Sequence, residues 1–385
     1  MIEHDFAFTL NRGEVPLREK LKYVSWSFII LLCLVAGVGV IMLASAAGGH
    51  MEPWASRHLT RFGFSLVMLL VVALVDVRIW MKYAYLFYAV SLVLLVAVEV
   101  RGTIGMGAQR WIDLGLFQIQ PSEMVKVSLV MSLARYFHGA SLEEVAYPPY
   151  LLLPLLLVLV PVGLVMKQPD LGTAVMLLMS SGVVFFLAGV RLWKFAVILL
   201  SGMSAVPIAW KFLHDYQKKR VLTFLNPEQD PLGAGYHIMQ SKIALGSGGV
   251  FGKGFGRGTQ SYLNFLPEKQ TDFIFTMLAE ERGLIGCLTV IGLYALLVAF
   301  GYVIAMRCRN QFGRLLGLGV VTSFFLYVFI NTAMVMGLIP VVGVPLPLIS
   351  YGGTSMLTVM FGFGLLLSVD IHRDIQIGRR GSYEG

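Results

Sequence analysis

Charged residues are scarce in this chain. Asp, Glu, Lys and Arg together make up 14% of its 385 residues, whereas about a quarter is usual for a soluble protein. Hydrophobic residues reach 57%, and many are collected in apolar runs near the length that a helix needs to cross a hydrocarbon core of roughly 30 Å. One such run could lie in a soluble core, but about ten could not. The composition excludes a soluble globular protein and indicates an integral membrane protein.

Cysteine is also scarce, with three in the chain. Cys33 and Cys287 lie in apolar runs and Cys308 lies in a short basic stretch, so no pair has metal-ligand spacing and we infer neither a zinc site nor a disulfide framework. Short alternating strands typical of a β-barrel are missing from the pattern. Residues 1–23 are largely polar, so we expect no cleavable signal peptide.

We therefore predict an all-α integral membrane protein, a single membrane domain over residues 1–385 with about ten transmembrane helices. Helices are expected because a backbone exposed to lipid must satisfy its own hydrogen bonds. The predicted spans are 24–47, 60–77, 80–99, 121–138, 149–166, 170–188, 191–212, 272–306, 312–338 and 346–370.

The distribution of Lys and Arg predicts the orientation, since short cytoplasmic loops are enriched in both. The bias places the N-terminus (1–23) and the tail (371–385) in the cytoplasm and makes the long segment 213–271 an external loop. Aromatic residues within that loop indicate that it is folded. The net charge of +8 is then mostly an orientation signal, and we expect no nucleic-acid partner.

Two ionisable residues lie inside the fourth predicted span. Glu123 and Lys126 are three positions apart and share one helix face. Ionisable groups inside apolar helices are costly and often functional. The pair could be a salt bridge that joins helices, a functional element, or both.

Other polar stretches lie between spans. Asp170 can cap the following helix, while Lys167 could bind an anion. The segment 246–258 reads GSGGVFGKGFGRG; with Lys253 and Arg257 it is either a flexible loop or a cradle for a diphosphate. It lacks the ending of a Walker loop.

Asp272 stands where the external loop returns to an apolar run. It is either a helix start, where a carboxylate is favoured, or a general base. The stretch from Asp272 to Met306 would be roughly 50 Å long as one helix, which exceeds the bilayer core. Because Glu280, Glu281 and Arg282 are charged, we expect the true span to begin near Gly283 and an external or interfacial helix to precede it. The prolines of 340–347 break the next such run, as a plain loop or as backbone lining a wet cavity.

Six motifs follow one another along nearly the whole chain: Gly107–Trp111, Gln120–Glu123 with Lys126, Lys167–Ala174, Gln240–Ala244, Pro267–Phe275 and Pro340–Thr354. In this order they resemble the motifs of the SEDS family (shape, elongation, division and sporulation), which includes RodA, FtsW and SpoVE. The sequences of 267–272 and 340–345 are more like RodA than FtsW.

The resemblance implies an inverting peptidoglycan glycosyltransferase that polymerises lipid II on the outer face of the bacterial cytoplasmic membrane for cell elongation and shape, among membrane lipids and beside a class B penicillin-binding protein. Asp272 matches the family's essential aspartate. A divalent cation (Mg or Mn) or basic groups must stabilise the leaving diphosphate. The candidate substrate-binding residues are Glu123, Lys126, Arg110, Lys167, Asp170, Lys242, Lys253, Arg257 and Ser350.

Two departures and two alternatives accompany the resemblance. Family members often have His where this chain has Gln270, and some have an acid at Asn264. A lipid II flippase would also suit a buried polar pair and broken helices. The third possibility is a scaffold that only positions the penicillin-binding protein.

Overall fold

The computed structural model describes residues 16–105, 108–113, 118–212, 218, 222–223, 226, 234–262 and 268–378. Most of the N-terminus predicted to be cytoplasmic and part of the long loop lie outside these residues. The helices are α1 (Leu17–Tyr23), α2 (Trp26–Ala46), α3 (Ala55–Leu74), α4 (Val77–Arg101), α5 (Pro121–Phe137), α6 (Leu142–Ala146), α7 (Leu152–Lys167), α8 (Leu171–Leu187), α9 (Leu192–Phe212), α10 (Ala234–Ser247), α11 (Thr259–Tyr262), α12 (Ile274–Arg307), α13 (Gln311–Val335) and α14 (Gly353–Ile371).

The predicted all-α membrane architecture is confirmed. Within the described residues, seven helices are long and apolar enough to cross a membrane, and α8 and the first part of α9 are shorter apolar helices. Helices α13 and α14 lie at the centre, because 78% and 72% of their span residues are buried. The second span begins at Ala55 and not at residue 60, and it ends at Leu74 because Asp76 accepts a hydrogen bond from Arg78 N (2.8 Å) and starts the next helix.

Successive spans alternate in direction, so the chain has two ends. One end carries residues 47–54, 102–120, 168–170 and 336–352, and we call it the cavity end. The opposite end is closed by contacts between helix termini and the tail. There, Ser368 Oγ donates to Val75 O (2.6 Å) and Asn310 Nδ2 donates to Ile375 O (3.3 Å).

A small antiparallel sheet at the cavity end was not predicted. It contains β1 (Thr103–Gly105), β2 (Ala108–Asp113) and β3 (Gln118–Ile119) in that order. Ile112 pairs with Ile119, so the sheet leads directly into α5.

Helix α12 is broken at Gly283, which has φ 62° and ψ −160°. A Cβ there would lie 2.4 Å from Gly252 N, so only glycine fits. The continuous span therefore begins where the length argument placed it. The preceding part, Ile274–Glu281, is a helical segment of its own, and its residues are all buried within the protein. Its external or interfacial position stays a prediction. The glycine-rich segment binds the end of this part: Lys253 N donates to Glu280 O and Gly254 N donates to Glu281 O, both at 3.0 Å.

Candidate functional site

A polar cavity of about 410 Å³ opens at the cavity end. Its wall is formed by β2, α5, the start of α8, α13 and the loop that precedes α14. Five of the residues singled out in the sequence line it: Arg110, Glu123, Lys126, Asp170 and Asp272.

The ion pair in α5 is present. Lys126 Nζ lies 2.6 Å from Glu123 Oε1, and the side chains are one helical turn apart on the same face. Tyr327 from α13 joins them: its hydroxyl donates to Glu123 Oε2 and accepts from Lys126 Nζ. The three residues are 4%, 3% and 3% exposed, in the order Glu123, Lys126 and Tyr327. Because Tyr327 hydrogen-bonds to both members, the pair joins α5 to α13, and it also lines the cavity. Breaking a buried pair leaves an uncompensated charge, which costs roughly 3–5 kcal/mol.

Asp170 and Arg110 shape the neighbouring wall. The Asp170 carboxylate accepts from Thr173 N (3.2 Å) and Thr173 Oγ1 (3.0 Å), so it caps α8 as the sequence indicated. Arg110 reaches across from β2 and donates to Gln168 O (3.1 Å) and Pro169 O (2.6 Å). Arg110 therefore holds the turn between α7 and α8 against the sheet.

The carboxylate of Asp272 faces the cavity and is half-buried. It is not the cap of α12, because that position belongs to Phe273. In the described part of the chain, no group donates a hydrogen bond to this carboxylate. Burial, and then the nearby charge of Glu268, raise the pKa of Asp272 to about 6. Such a carboxylate is mostly ionised at neutral pH yet basic enough to accept a proton, which favours the general-base interpretation.

The backbone that carries Asp272 is held by three consecutive carbonyls, which we call the carbonyl clamp. Each carbonyl accepts one hydrogen bond from a different donor. The three bonds are Tyr351 N to Gln270 O (2.8 Å), Ser350 Oγ to Thr271 O (2.6 Å) and Asn331 Nδ2 to Asp272 O (2.9 Å).

Two of the three donors in this clamp are side chains, those of Asn331 and Ser350. Asn331, fully buried in α13, also donates to Val344 O (2.7 Å), so one carboxamide joins α13, Asp272 and the loop before α14. Ser350 also accepts from Leu346 N (2.8 Å) and lies behind the cavity wall. Asn331 and Tyr327 were missed in the sequence. The only signal for either was a hydrogen-bonding side chain within an apolar span.

The other predicted binding residues lie outside the cavity wall. Lys167 and Arg257 are exposed, and Lys242 lies against Gly337. Lys253 Nζ pairs with Glu280 Oε1 (2.7 Å). In the glycine-rich segment, the amides of Lys253 and Gly254 donate to carbonyls of α12, so these two donors already have partners within the protein. The substrate-binding role of these residues stays a prediction.

An apolar pocket of about 240 Å³ continues from the cavity between α3, α4, α5 and α14. Gln120 and Thr354 line both spaces. Phe64, Phe87 and Phe361 are among its apolar wall residues. A polar space and an apolar space therefore share a border at the cavity end.

Comparison with known proteins gives consistent similarities. A family model for cell cycle proteins of the FtsW, RodA and SpoVE type matches residues 25–375. Peptidoglycan glycosyltransferase MrdB of Escherichia coli (strain K12) is 46% identical over an alignment of 374 residues, and the match covers 95% of this chain and 98% of that protein.

Two solved structures are also similar. One chain, from a study of the structural coordination of polymerization and crosslinking by a peptidoglycan synthase complex, has a TM-score of 0.81 and 33% identity, covering 91% of this chain and 98% of that one. The rod shape determining protein RodA of Thermus thermophilus has a TM-score of 0.69 and 30% identity, covering 91% and 97%.

Proposed function

Because the chain belongs to the FtsW, RodA and SpoVE family of cell cycle proteins, we propose that it is a peptidoglycan glycosyltransferase that polymerises lipid II. One observation carries the proposal. An aspartate with a pKa of about 6, Asp272, faces a polar cavity that borders an apolar pocket. A lipid-linked sugar has the same two parts, a polar sugar and an apolar polyprenyl tail.

The reaction joins two lipid-linked sugars. The 4-hydroxyl of the acceptor sugar gives its proton to the Asp272 carboxylate as its oxygen attacks the anomeric carbon of the donor glycan. A new C–O bond forms, the bond between the anomeric carbon and the diphosphate breaks, and the configuration inverts. The lipid diphosphate leaves with the bonding electron pair. The carbonyl clamp keeps Asp272 in position during this step.

The two spaces divide the substrate between them. The cavity of about 410 Å³ is large enough for sugar groups, and its polar wall offers hydrogen-bonding partners. The apolar pocket between α3, α4, α5 and α14 takes the first part of the polyprenyl tail, whose remainder stays in lipid. Membrane helices suit this reaction because the tails never need to leave the bilayer.

The proposed place is the outer face of the bacterial cytoplasmic membrane. The end opposite the cavity carries Lys82, Arg135, Lys194, Arg307 and Arg309 on its helix ends and turns. Cytoplasmic ends are enriched in such residues, so the cavity end is external and both termini are cytoplasmic. This enzyme would serve cell elongation, as the RodA-like sequences of residues 267–272 and 340–345 indicate.

A class B penicillin-binding protein is the proposed partner. Support comes from the similarity to a chain of a peptidoglycan synthase complex, which extends over 91% of the present chain. A divalent cation also remains part of the proposal, arriving with the diphosphate. The described residues hold no group of three His, Cys, Asp or Glu that could bind a metal, and Mg²⁺ commonly binds phosphate with few protein ligands. No step above depends on it.

The test is polymerisation of lipid II by the purified protein, alone and with its partner. Wild type should make glycan strands, and Asp272→Ala should lower the rate by about 10²–10⁴-fold, as loss of a general base does. Asp76→Ala is the matched control, because that carboxylate caps α4 at the opposite end. No polymer from wild type would leave the flippase or the scaffold as the function. Equal polymer from Asp272→Ala would remove the mechanism.

A further inference from the structure

The leaving diphosphate needs a cation, and the basic residues proposed from the sequence are engaged or elsewhere. Lys126 is neutralised by Glu123 and Lys253 by Glu280. Two N–H groups of Arg110 are used by backbone carbonyls. Arg257 does not line the cavity. A positive side chain whose guanidinium or ammonium group is not engaged in this way would add to the charge of any divalent cation that arrives with the diphosphate.

Arg61 on α3 has the required geometry. Its guanidinium carbon lies 4.8 Å from the centre of the Tyr351 ring, a cation–π contact. A Cβ added at Gly353 would lie 3.3 Å from three guanidinium atoms, so the absence of a side chain there gives the group its place. Across the residues that the structure describes, no carboxylate pairs with Arg61. The side chain is exposed, its position is fixed by the contact with Tyr351, and its charge is not neutralised by a carboxylate.

The position of Arg61 matches the order of groups in a lipid-linked sugar. Three and seven residues further along α3, Phe64 and Met68 line the apolar pocket. Tyr351 and the glycine beside it, Gly352, line the polar cavity. Arg61 itself lines neither space, but unlike Arg257 it contacts Tyr351 of the cavity wall, so its guanidinium lies beside the border between the two spaces. In the substrate, the diphosphate likewise lies between the tail and the sugar.

We infer that Arg61, supported by Tyr351, binds the diphosphate of the polyprenyl-linked substrate at this border. The inference rests on the proposed function and adds one binding residue to it. A guanidinium binds phosphate oxygens through two parallel N–H donors, which an ammonium group cannot do. The same contact holds the substrate and faces the negative charge that develops on the leaving group.

The first measurement is binding of a polyprenyl diphosphate to the full-length protein in nanodiscs of phosphatidylcholine. Arg61→Gln should weaken binding about 10- to 100-fold, the range for a hydrogen bond to a charged group, and Arg61→Lys should restore part of it. Arg57→Gln is the matched control, one turn earlier on α3 and exposed. Monodisperse elution of each variant shows that it is folded.

The second measurement distinguishes the diphosphate of the substrate from the phosphate of lipid headgroups. It also distinguishes failure of the Arg61 inference from failure of the proposed function. In polymerisation assays, Arg61→Gln should raise the KM for lipid II in phosphatidylcholine and in phosphatidylglycerol nanodiscs alike. Unchanged affinity for the polyprenyl diphosphate would overturn the inference, and so would an effect seen only with phosphatidylglycerol, since Arg61 would then bind bulk headgroups. Absence of glycan from wild type would instead overturn the proposed function, while the binding assay would still report on Arg61.

Discussion

The pKa of Asp272 has two physical causes, and they can be separated. Burial comes first, because it disfavours the charged form of a carboxyl group. The negative charge of Glu268 comes second and acts in the same direction. Together they raise the pKa from the usual 3.8 to about 6. The base must be deprotonated to act, so activity should fall as the pH decreases through this value.

The pH profile of kcat/KM should therefore have an acidic limb near pH 6. Glu268→Gln removes the second cause, stabilises the carboxylate, and should move the limb to lower pH. Glu143→Gln, an exposed carboxylate at the opposite end, is the control and should leave the limb in place. A limb that stays put in Glu268→Gln would show that Glu268 does not influence the catalytic group.

At the residue scale, sequence reasoning found charged groups better than neutral ones. Glu123, Lys126 and Asp272 were recognisable because an ionisable group within or beside an apolar run is costly and often functional. Tyr327 and Asn331 were not, since either is unremarkable in a span until the fold shows its partner. Lys253 was recognised from the sequence, but its ion pair was not. The buried carboxylate that pairs with it, Glu280, lies 27 residues away in sequence.

Between elements, the decisive feature is the carbonyl clamp. The segment that bears Asp272 has no regular structure before α12 begins, so its position depends on neighbours. Asn331 joins it to α13, and Ser350 joins it to the loop before α14. Both side chains are buried and neither touches the cavity. Their proposed role is to position the carboxylate.

Replacing Asn331 should separate positioning from stability. Asn331→Ala leaves two buried carbonyls without a donor, which should lower stability by about 1–3 kcal/mol, and it frees the backbone at Asp272. Small displacements of a catalytic group cost up to about 10²-fold in rate, so we expect a loss of kcat with little change in KM.

Asn310→Ala is the matched control for that measurement. Asn310 is also buried, donates to Ile375 O, and accepts from Gly313 N, but it lies at the opposite end. Both variants should show a lower Tm, and only Asn331→Ala should lose kcat. Equal kcat losses would mean that Asn331 acts through general stability alone.

Elements were predictable where one strong signal decided them. The break at Gly283 followed from the excess length of the run and the charges of Glu280–Arg282. The sheet formed by β1, β2 and β3 was not predictable, because strands of three, six and two residues look like a loop until they pair. The burial of Ile274–Glu281 was not predicted because the groups that contact this part lie far away in sequence. Ser241 of α10 hydrogen-bonds to Thr276, and the glycine-rich segment donates to the carbonyls of Glu280 and Glu281.

On the scale of the whole molecule, the two ends differ in chemistry. The cavity end carries the polar cavity, the carbonyl clamp and the glycine-rich segment. The opposite end carries many of the basic residues and residues 371–378 of the tail. If the lipid-linked substrate is polymerised outside the cell, the cavity end must face outward in every molecule.

Cysteine labelling tests that orientation directly. In a variant lacking Cys33, Cys287 and Cys308, Phe251→Cys places a thiol at a position that is 82% exposed on the cavity side, and Leu142→Cys places one at a position that is 74% exposed at the opposite end. A membrane-impermeant maleimide added to intact spheroplasts should label position 251 at once and position 142 only after the membrane is opened. The cysteine-free parent should stay unlabelled. The reverse pattern would put the Asp272 carboxylate on the cytosolic side, where growing glycan strands could not be handed to a crosslinking partner outside, and polymerisation at the outer face would have to be abandoned.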